Sequence, residues 1–330
     1  MSRYRFVARS ALLALILGSL AACATSAAPT RPATVVTVQL AWTHSAQFAG
    51  FYAAEQRGYY AAEGLAVTLV EGGPTLDRLK PVLEATAQFG IASPDQLIAA
   101  RAAGQSVRAI ATVYRRSPSV YMALADSGIT RPQDFVGKTI QTARFGIPTV
   151  HAITARVGVR PDQYRWVEST PDLTPFYTGQ VHVRGVFLTN EVVEAQAAGY
   201  KLNLIYPDDY GIHRYADTIF TSDDVIARNP DLVTRFLRAT LKGWTFAMEN
   251  PTAIGPLVVK YAPQADPALE AAKMTASIPL VNTGEDAIGW MTPKMWAEME
   301  RAYREQGLLT AAVDVTQVYT MRFLNEIYGK

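Results

Sequence analysis

The run Val35-Val36-Thr37-Val38-Gln39-Leu40, followed by Trp42-Thr43-His44-Ser45-Ala46-Gln47-Phe48-Ala49-Gly50-Phe51-Tyr52 and Ala53-Ala54-Glu55-Gln56-Arg57-Gly58-Tyr59-Tyr60, decides the fold. Val35 to Leu40 is β-branched and alternating, which predicts a strand. Ala46 to Tyr60 has helical spacing, with Gly58 as a weak point and an end near Gly64. A strand, an aromatic turn and a helix make one βα unit. In α/β folds ligands bind at the carboxyl ends of strands, where this turn stands. Trp42 and Phe48, in the turn, are therefore candidate ligand contacts. Phe51, Tyr59 and Tyr60 fall at helical spacing and are assigned to the core.

Working outward, the same alternation recurs. Strands are expected at 66–70, 88–92 and 107–114, and helices at 76–85 and 94–103. Glu71-Gly72-Gly73-Pro74 forms a turn, and Ser93-Pro94-Asp95 starts the second helix. A second series has strands at 120–124, 139–142, 181–188 and 202–206, with helices at 148–157 and 191–198. The last third is helical. Asn229-Pro230-Asp231 is a helix start, and Leu232, Val233, Phe236, Leu237, Leu241, Trp244 and Met248 form one apolar stripe. Further helices are expected at 267–278, 293–306 and 320–328. Strands alternating with helices imply an α/β protein with a mostly parallel sheet, divided into two lobes with a helical C-terminal region.

The chain has 330 residues, 49% of them hydrophobic, with a formal charge of +2, which argues against disorder and against a nucleic-acid footprint. Its N-terminus has the features of an export signal. Arg3, Arg5 and Arg9 precede the apolar run 11–20, and Leu20-Ala21-Ala22-Cys23 is a small-residue cleavage site. The apolar run is short for a membrane span. These four residues resemble the bacterial lipobox, in which the cysteine is lipidated. Cys23 is the sole cysteine. Residues 1–22 are read as a leader, Cys23 as the lipidation site and 23–34 as a tether. Loss of the leader takes three arginines and no acids, and brings the charge to −1. The expected product is an exported, periplasmic or cell-surface lipoprotein.

Catalytic signatures are missing from the sequence. His44, His151, His182 and His213 are scattered without ligand spacing, and there is no GxSxG, Walker A or GxGxxG pattern. No cofactor and no metal are expected, and the chain is read as a non-enzyme.

The order of features resembles the SsuA/THI5-like (NMT1) family of periplasmic substrate-binding proteins. The similar stretches are 42–60, Gly64-Leu65-Ala66-Val67 with Gly72-Gly73, Gln88-Phe89-Gly90-Ile91-Ala92, Ser127-Gly128-Ile129 with 134–138, Thr189-Asn190-Glu191, 207–211 and 236–244. They cover residues 35 to 300. The resemblance implies a type II binding-protein fold whose two lobes close on a small molecule. It places lobe 1 at 35–120 and 221–330 and lobe 2 at 121–220. It implies a monomer without a cofactor, partnered by an ABC permease and its ATPase. Trp42, Thr43, Gly50 and Tyr52 keep the spacing of receptors for thiamine pyrimidine precursors, whereas Gln47-Phe48 is similar to the branch with riboflavin receptors. The yeast-type pyrimidine synthases of this fold carry a sacrificial histidine at the Phe48 position and a downstream cysteine cluster, and this chain has neither.

An aromatic heterocycle requires flat apolar faces and a few placed polar groups. Trp42 and Phe48, with Tyr114 or Tyr210, are candidates for the faces, and Gln47 stands between the first two. Glu191 is either an acceptor for a ring N–H or a solvent-facing carboxylate at a helix start. Asn190 and Ser93 are each either helix caps or ligand contacts. Gly146 to Thr149 are either an anion-binding helix N-terminus or an ordinary left-handed turn at Gly146. Arg115 and Arg116 are candidate partners for such an anion. The alternatives to a heterocycle receptor are a receptor for a small anion, such as an alkanesulfonate or nitrate, and a pyrimidine-synthesising enzyme.

Overall fold

A computed structural model describes residues 32–73, 76–170 and 172–330. The leader, Cys23, most of the tether and Pro74 lie outside the described residues. Among the described residues, no helix is long and apolar enough to cross a membrane.

Among the described residues, ten strands form two five-stranded sheets: β1 (Thr34–Gln39), β2 (Leu65–Val70), β3 (Phe89–Ala92), β4 (Val107–Tyr114), β5 (Ser119–Leu124), β6 (Thr139–Thr142), β7 (Arg165–Glu168), β8 (Val183–Phe187), β9 (Leu202–Ile205) and β10 (Ala216–Ser222). The first sheet has the order β2-β1-β3-β10-β4 and the second β7-β6-β8-β5-β9. Helices cover the sheets, giving the α/β two-lobe architecture.

The sheets are mixed rather than mostly parallel. β1 runs parallel to β2 and β3, but β10 is antiparallel to β3 and β4. β6 runs parallel to β7 and β8, but β5 is antiparallel to β8 and β9. In each sheet the antiparallel member is the strand that has just arrived from the other lobe. The crossings are short: residues 115–118 lead from β4 to β5, and 206–215 lead from β9 back to β10. Both fall before the expected lobe boundaries after 120 and after 220, so 216–220 join the first sheet.

The opening βα unit forms as expected, with a break. After β1 come a 3₁₀ turn at Ala46–Phe48, a helix at Ala49–Gln56 and a further turn of helix at Tyr59–Ala62. Gly58 separates the two helices with φ 74°, a left-handed conformation that glycine adopts without strain. Gly50 and Gly243 let this helix press against Pro230–Glu249. A Cβ on Gly243 would collide with the Gly50 carbonyl, and a Cβ on Gly50 with the Trp244 ring. The stripe expected on Pro230–Glu249 is buried from Leu232 to Trp244 and half-buried at Met248, and Phe236 stacks on Phe89 at 3.8 Å and on Tyr60 at 5.6 Å. The helix expected at 76–85 shrinks to Lys80–Leu83, with Pro81 in its first turn.

Candidate functional site

Between the two sheets lies a cleft that is open to solvent at its mouth and lined by residues of both lobes. Trp42, Gln47 and Ser93 line it from lobe 1. Gly146, Asn190 and Glu191 line it from lobe 2. The remaining candidates stand elsewhere.

Phe48 is 1% exposed and packs in the lobe 1 core. The 3₁₀ turn sends Gln47 to the cleft and its neighbour inward. Tyr114 is fully buried, with its hydroxyl 3.1 Å from Ser277 Oγ and its ring edge-on to Trp244. Tyr210 packs against the lobe 2 core at the end of the 3₁₀ helix Pro207–Tyr210. None of these three lines the cleft. Thr149 is buried behind it and accepts a hydrogen bond from Arg214 Nη1 at 2.8 Å.

Gly146 has φ −85°, so the left-handed turn is not formed. A glycine stands there because a Cβ would strike Thr142 Oγ1. Its N–H donates to the Ala143 carbonyl at 2.7 Å, the Ile147 N–H donates to Arg144, and Pro148 has none. The expected anion site at 146–149 is thus largely spent on local bonds. Arg115 is also committed elsewhere, donating to Thr283 at 2.5 Å and Asp286 at 2.8 Å, and Arg116 faces Glu285 at 3.8 Å.

The lobe 2 rim is rich in acceptors. Asn190 precedes the helix Glu191–Ala197, yet its side chain makes no capping bond, and its buried Oδ1 has no hydrogen-bond partner. Glu191 Oε2 accepts the Phe187 N–H at 3.0 Å. Burial pushes its carboxyl pKa up, against the pull of that bond. Ser93 stands at the start of Pro94–Ala102, gives its hydroxyl to Gln96 Oε1 at 3.0 Å, and lines the cleft.

Four charged residues that line the cleft, Arg78, Asp95, Arg214 and Asp217, were not singled out as site residues from the sequence. Asp217 has φ 41°, an uncommon conformation for a non-glycine residue, and its Oδ2 accepts from Gln47 Nε2 at 2.7 Å. Burial pushes its pKa up to about 6, while the Gln47 bond and the Arg78 charge oppose the shift. Arg78 and Asp95 complete the lobe 1 side. Arg214, on the returning crossover, faces the cleft while bound to Thr149 of lobe 2. Its charge also reaches Tyr303 of lobe 1. The only sequence signal for these residues is their place after a strand or at a crossover.

The cleft therefore offers one indole face, two guanidinium groups and several desolvated acceptors. Among the described residues, no cluster of His, Cys, Asp and Glu is arranged to hold a metal ion.

The family model for NMT1/THI5-like proteins matches residues 45–254. The riboflavin-binding protein RibY of Chloroflexus aurantiacus is 29% identical over 253 residues, covering 72% of this chain and 70% of that protein. The 4-amino-5-hydroxymethyl-2-methylpyrimidine phosphate synthase of Legionella pneumophila is 26% identical over 249 residues, covering 72% and 76%. In fold, the alkanesulfonate-binding protein SsuA of Xanthomonas axonopodis pv. citri, solved with MOPS, superposes with a TM-score of 0.68 at 13% identity, over 88% of this chain and 99% of that one. With the matching model spanning well over half of its length, the chain belongs to the NMT1/THI5-like family.

Proposed function

We propose that the protein is the solute-binding receptor of an ABC importer, exported and held at a membrane through Cys23, and that it takes an aromatic heterocycle of the pyrimidine or flavin kind. The observation that carries this reading is Asn190 Oδ1, a buried acceptor without a partner, beside the desolvated Glu191 in a cleft that also holds Trp42. A buried acceptor left unpaired costs about 1–3 kcal/mol, which a ligand N–H would recover. The relative named as a riboflavin-binding protein supports the same class. Trp42 supplies the ring face, Gln47 and Asp217 a polar lobe 1 wall, and Ser93 a further contact. The receptor acts as a monomer with a permease and its ATPase.

A small-anion receptor draws support from Arg78 and Arg214. Against it stand Asp95, Asp217 and Glu191 in the same cleft and the consumed N–H groups at 146 and 147. A synthase of the yeast type would carry a sacrificial histidine at position 48, where this chain has Phe48 buried in the core.

Mass spectrometry of the natively purified protein tests the reading, together with a thermal-shift panel of riboflavin, an aminopyrimidine, an alkanesulfonate and nitrate. A ligand at a hundred times its Kd stabilises the fold by about 2.7 kcal/mol. Stabilisation by riboflavin or the aminopyrimidine is expected. Stabilisation by the sulfonate or nitrate alone would sink the heterocycle reading, and turnover of a bound pyrimidine would move the protein among the enzymes of its family.

A further inference from the structure

Behind the cleft, a buried charge network joins the two lobes. Lys273, on the lobe 1 helix Pro267–Val281, donates to Glu194 Oε1 at 2.7 Å on the lobe 2 helix Glu191–Ala197, and to Glu270 Oε1 at 2.8 Å on its own helix. The other oxygen of Glu270 accepts the Ala46 N–H at 2.6 Å. Lys273 is 5% exposed and Glu270 4%. Each end of the network reaches the candidate site. Ala46 opens the 3₁₀ turn that carries Gln47, and Glu194 is three and four residues beyond Glu191 and Asn190, one helical turn away.

We propose that Lys273 is a positioning residue that clasps the two halves of the cleft. Through Glu270 it fixes the loop bearing Gln47, and through Glu194 it holds the helix bearing Asn190 and Glu191 in the closed arrangement. The chemistry favours a clasp over a passive contact. Lys273 and Glu270 can stay paired on one helix whether or not the lobes meet, so neither is stranded as an unpaired buried charge on opening. Glu194 is the member that must part from the others, and it is about one-third exposed, so water can solvate it when it leaves. The network thus has two arrangements, and closure adds one charge-assisted hydrogen bond. A ligand that bridges Gln47 and Asn190 draws together the same two elements, so ligand and clasp favour the same state.

This inference rests on the receptor reading for its ligand arm only. Glu194→Gln removes the interlobe charge and leaves the Lys273–Glu270–Ala46 chain intact. Lys273→Met removes both links. In the purified protein without added ligand, Glu194→Gln is expected to enlarge the radius of gyration in X-ray scattering and to speed hydrogen exchange at 187–194, with the melting temperature nearly unchanged. Lys273→Met is expected to speed exchange at 42–48 as well. With riboflavin as probe, Glu194→Gln should dissociate roughly tenfold faster with little change in association rate. Scattering and exchange identical to the parent in both variants would overturn the clasp. If riboflavin fails to bind the parent protein, only the heterocycle reading suffers, and the ligand-free measurements still decide the clasp.

Discussion

The two lobes share a strand order but not a core. In both, one strand, β1 in lobe 1 and β6 in lobe 2, lies between two parallel neighbours, and the strand arriving from the other lobe enters antiparallel. Lobe 1 adds the C-terminal helices and packs them into one continuous apolar cluster, from Val36 through Phe89 and Phe236 to Trp296 and Phe323. Lobe 2 has two small clusters, one on each face of its sheet. Tyr121, Ile140 and Ile153 lie on one face, and Met122, Phe176 and Val192 on the other. It compensates with a buried cation. Arg184, 2% exposed, donates to Gln141 Oε1 at 3.0 Å, to the Asp172 carbonyl at 2.6 Å and to the Thr170 carbonyl. One lobe rests on apolar area and the other on a polar staple, which makes lobe 1 the platform and lobe 2 the more easily deformed jaw.

The largest expected effect tests the platform. Phe236→Ala removes the ring between Phe89 and Tyr60 and should cost about 4 kcal/mol in urea unfolding. A loss below about 1 kcal/mol would mean that the cluster is not continuous in energy. Next comes the charge buried in lobe 1. Asp217 has a pKa of about 6 in the folded chain, so folding binds its proton more tightly than the unfolded chain does. The cost of ionising it is absent below pH ~4 and complete above pH ~6, so stability falls as pH rises through that window, by up to about 3 kcal/mol. Asp217→Asn keeps a residue tolerant of positive φ. Its stability relative to the parent should climb between pH 4 and 7, and a constant difference would refute the assignment.

For lobe 2, Arg184→Met strands the carbonyls of Thr170 and Asp172 and should cost about 2 kcal/mol. Hydrogen exchange should accelerate at 165–187 and not in β1 or β3, and uniform acceleration would erase the contrast between the lobes. The smallest effect is local to the cleft. Trp42→Ala should weaken binding of the heterocycle about tenfold, near 1.4 kcal/mol, with the melting temperature of the ligand-free protein almost unmoved. Unchanged affinity in titration calorimetry would remove the indole from the ligand's surroundings.

Much of this was legible in the residues, for reasons that differ from place to place. Pro94 and Pro230 mark helix starts because proline lacks the N–H that a first turn wastes, and both helices begin there. The mixed sheets were not legible. β10, Ala-Asp-Thr-Ile-Phe-Thr-Ser, is a good strand locally, but nothing in its residues says which lobe it joins or in which direction. β7 is only four residues, two of them charged. In the site, Trp42, Gln47, Ser93, Gly146, Asn190 and Glu191 reach the cleft because each follows a strand or opens a helix. Phe48 and Tyr114 were misplaced because an aromatic ring suits a core as well as a ligand, and only the backbone path separates the two. Asp217 and Arg214 were overlooked because a charged residue at a crossover looks solvated until the sheets close over it.

The position of β10 also bears on synthesis. It sits inside the lobe 1 sheet, between β3 and β4, although it is the last strand of the chain. A chain that emerges N-terminus first, from a ribosome in vitro or from an export channel, holds every strand of lobe 2, β5 to β9, once residue 205 is out, while lobe 1 still lacks an inner strand and β4 has nothing to pair with. The lobe with the weaker core is therefore the first that can be completed, and β4 waits more than a hundred residues for its neighbour, a long-range pairing that slows folding. Chains stalled with residue 215 just outside the tunnel should resist a protease across 119–205 and be cut within 34–114. Protection in the opposite order would mean that lobe 1 assembles around a gap.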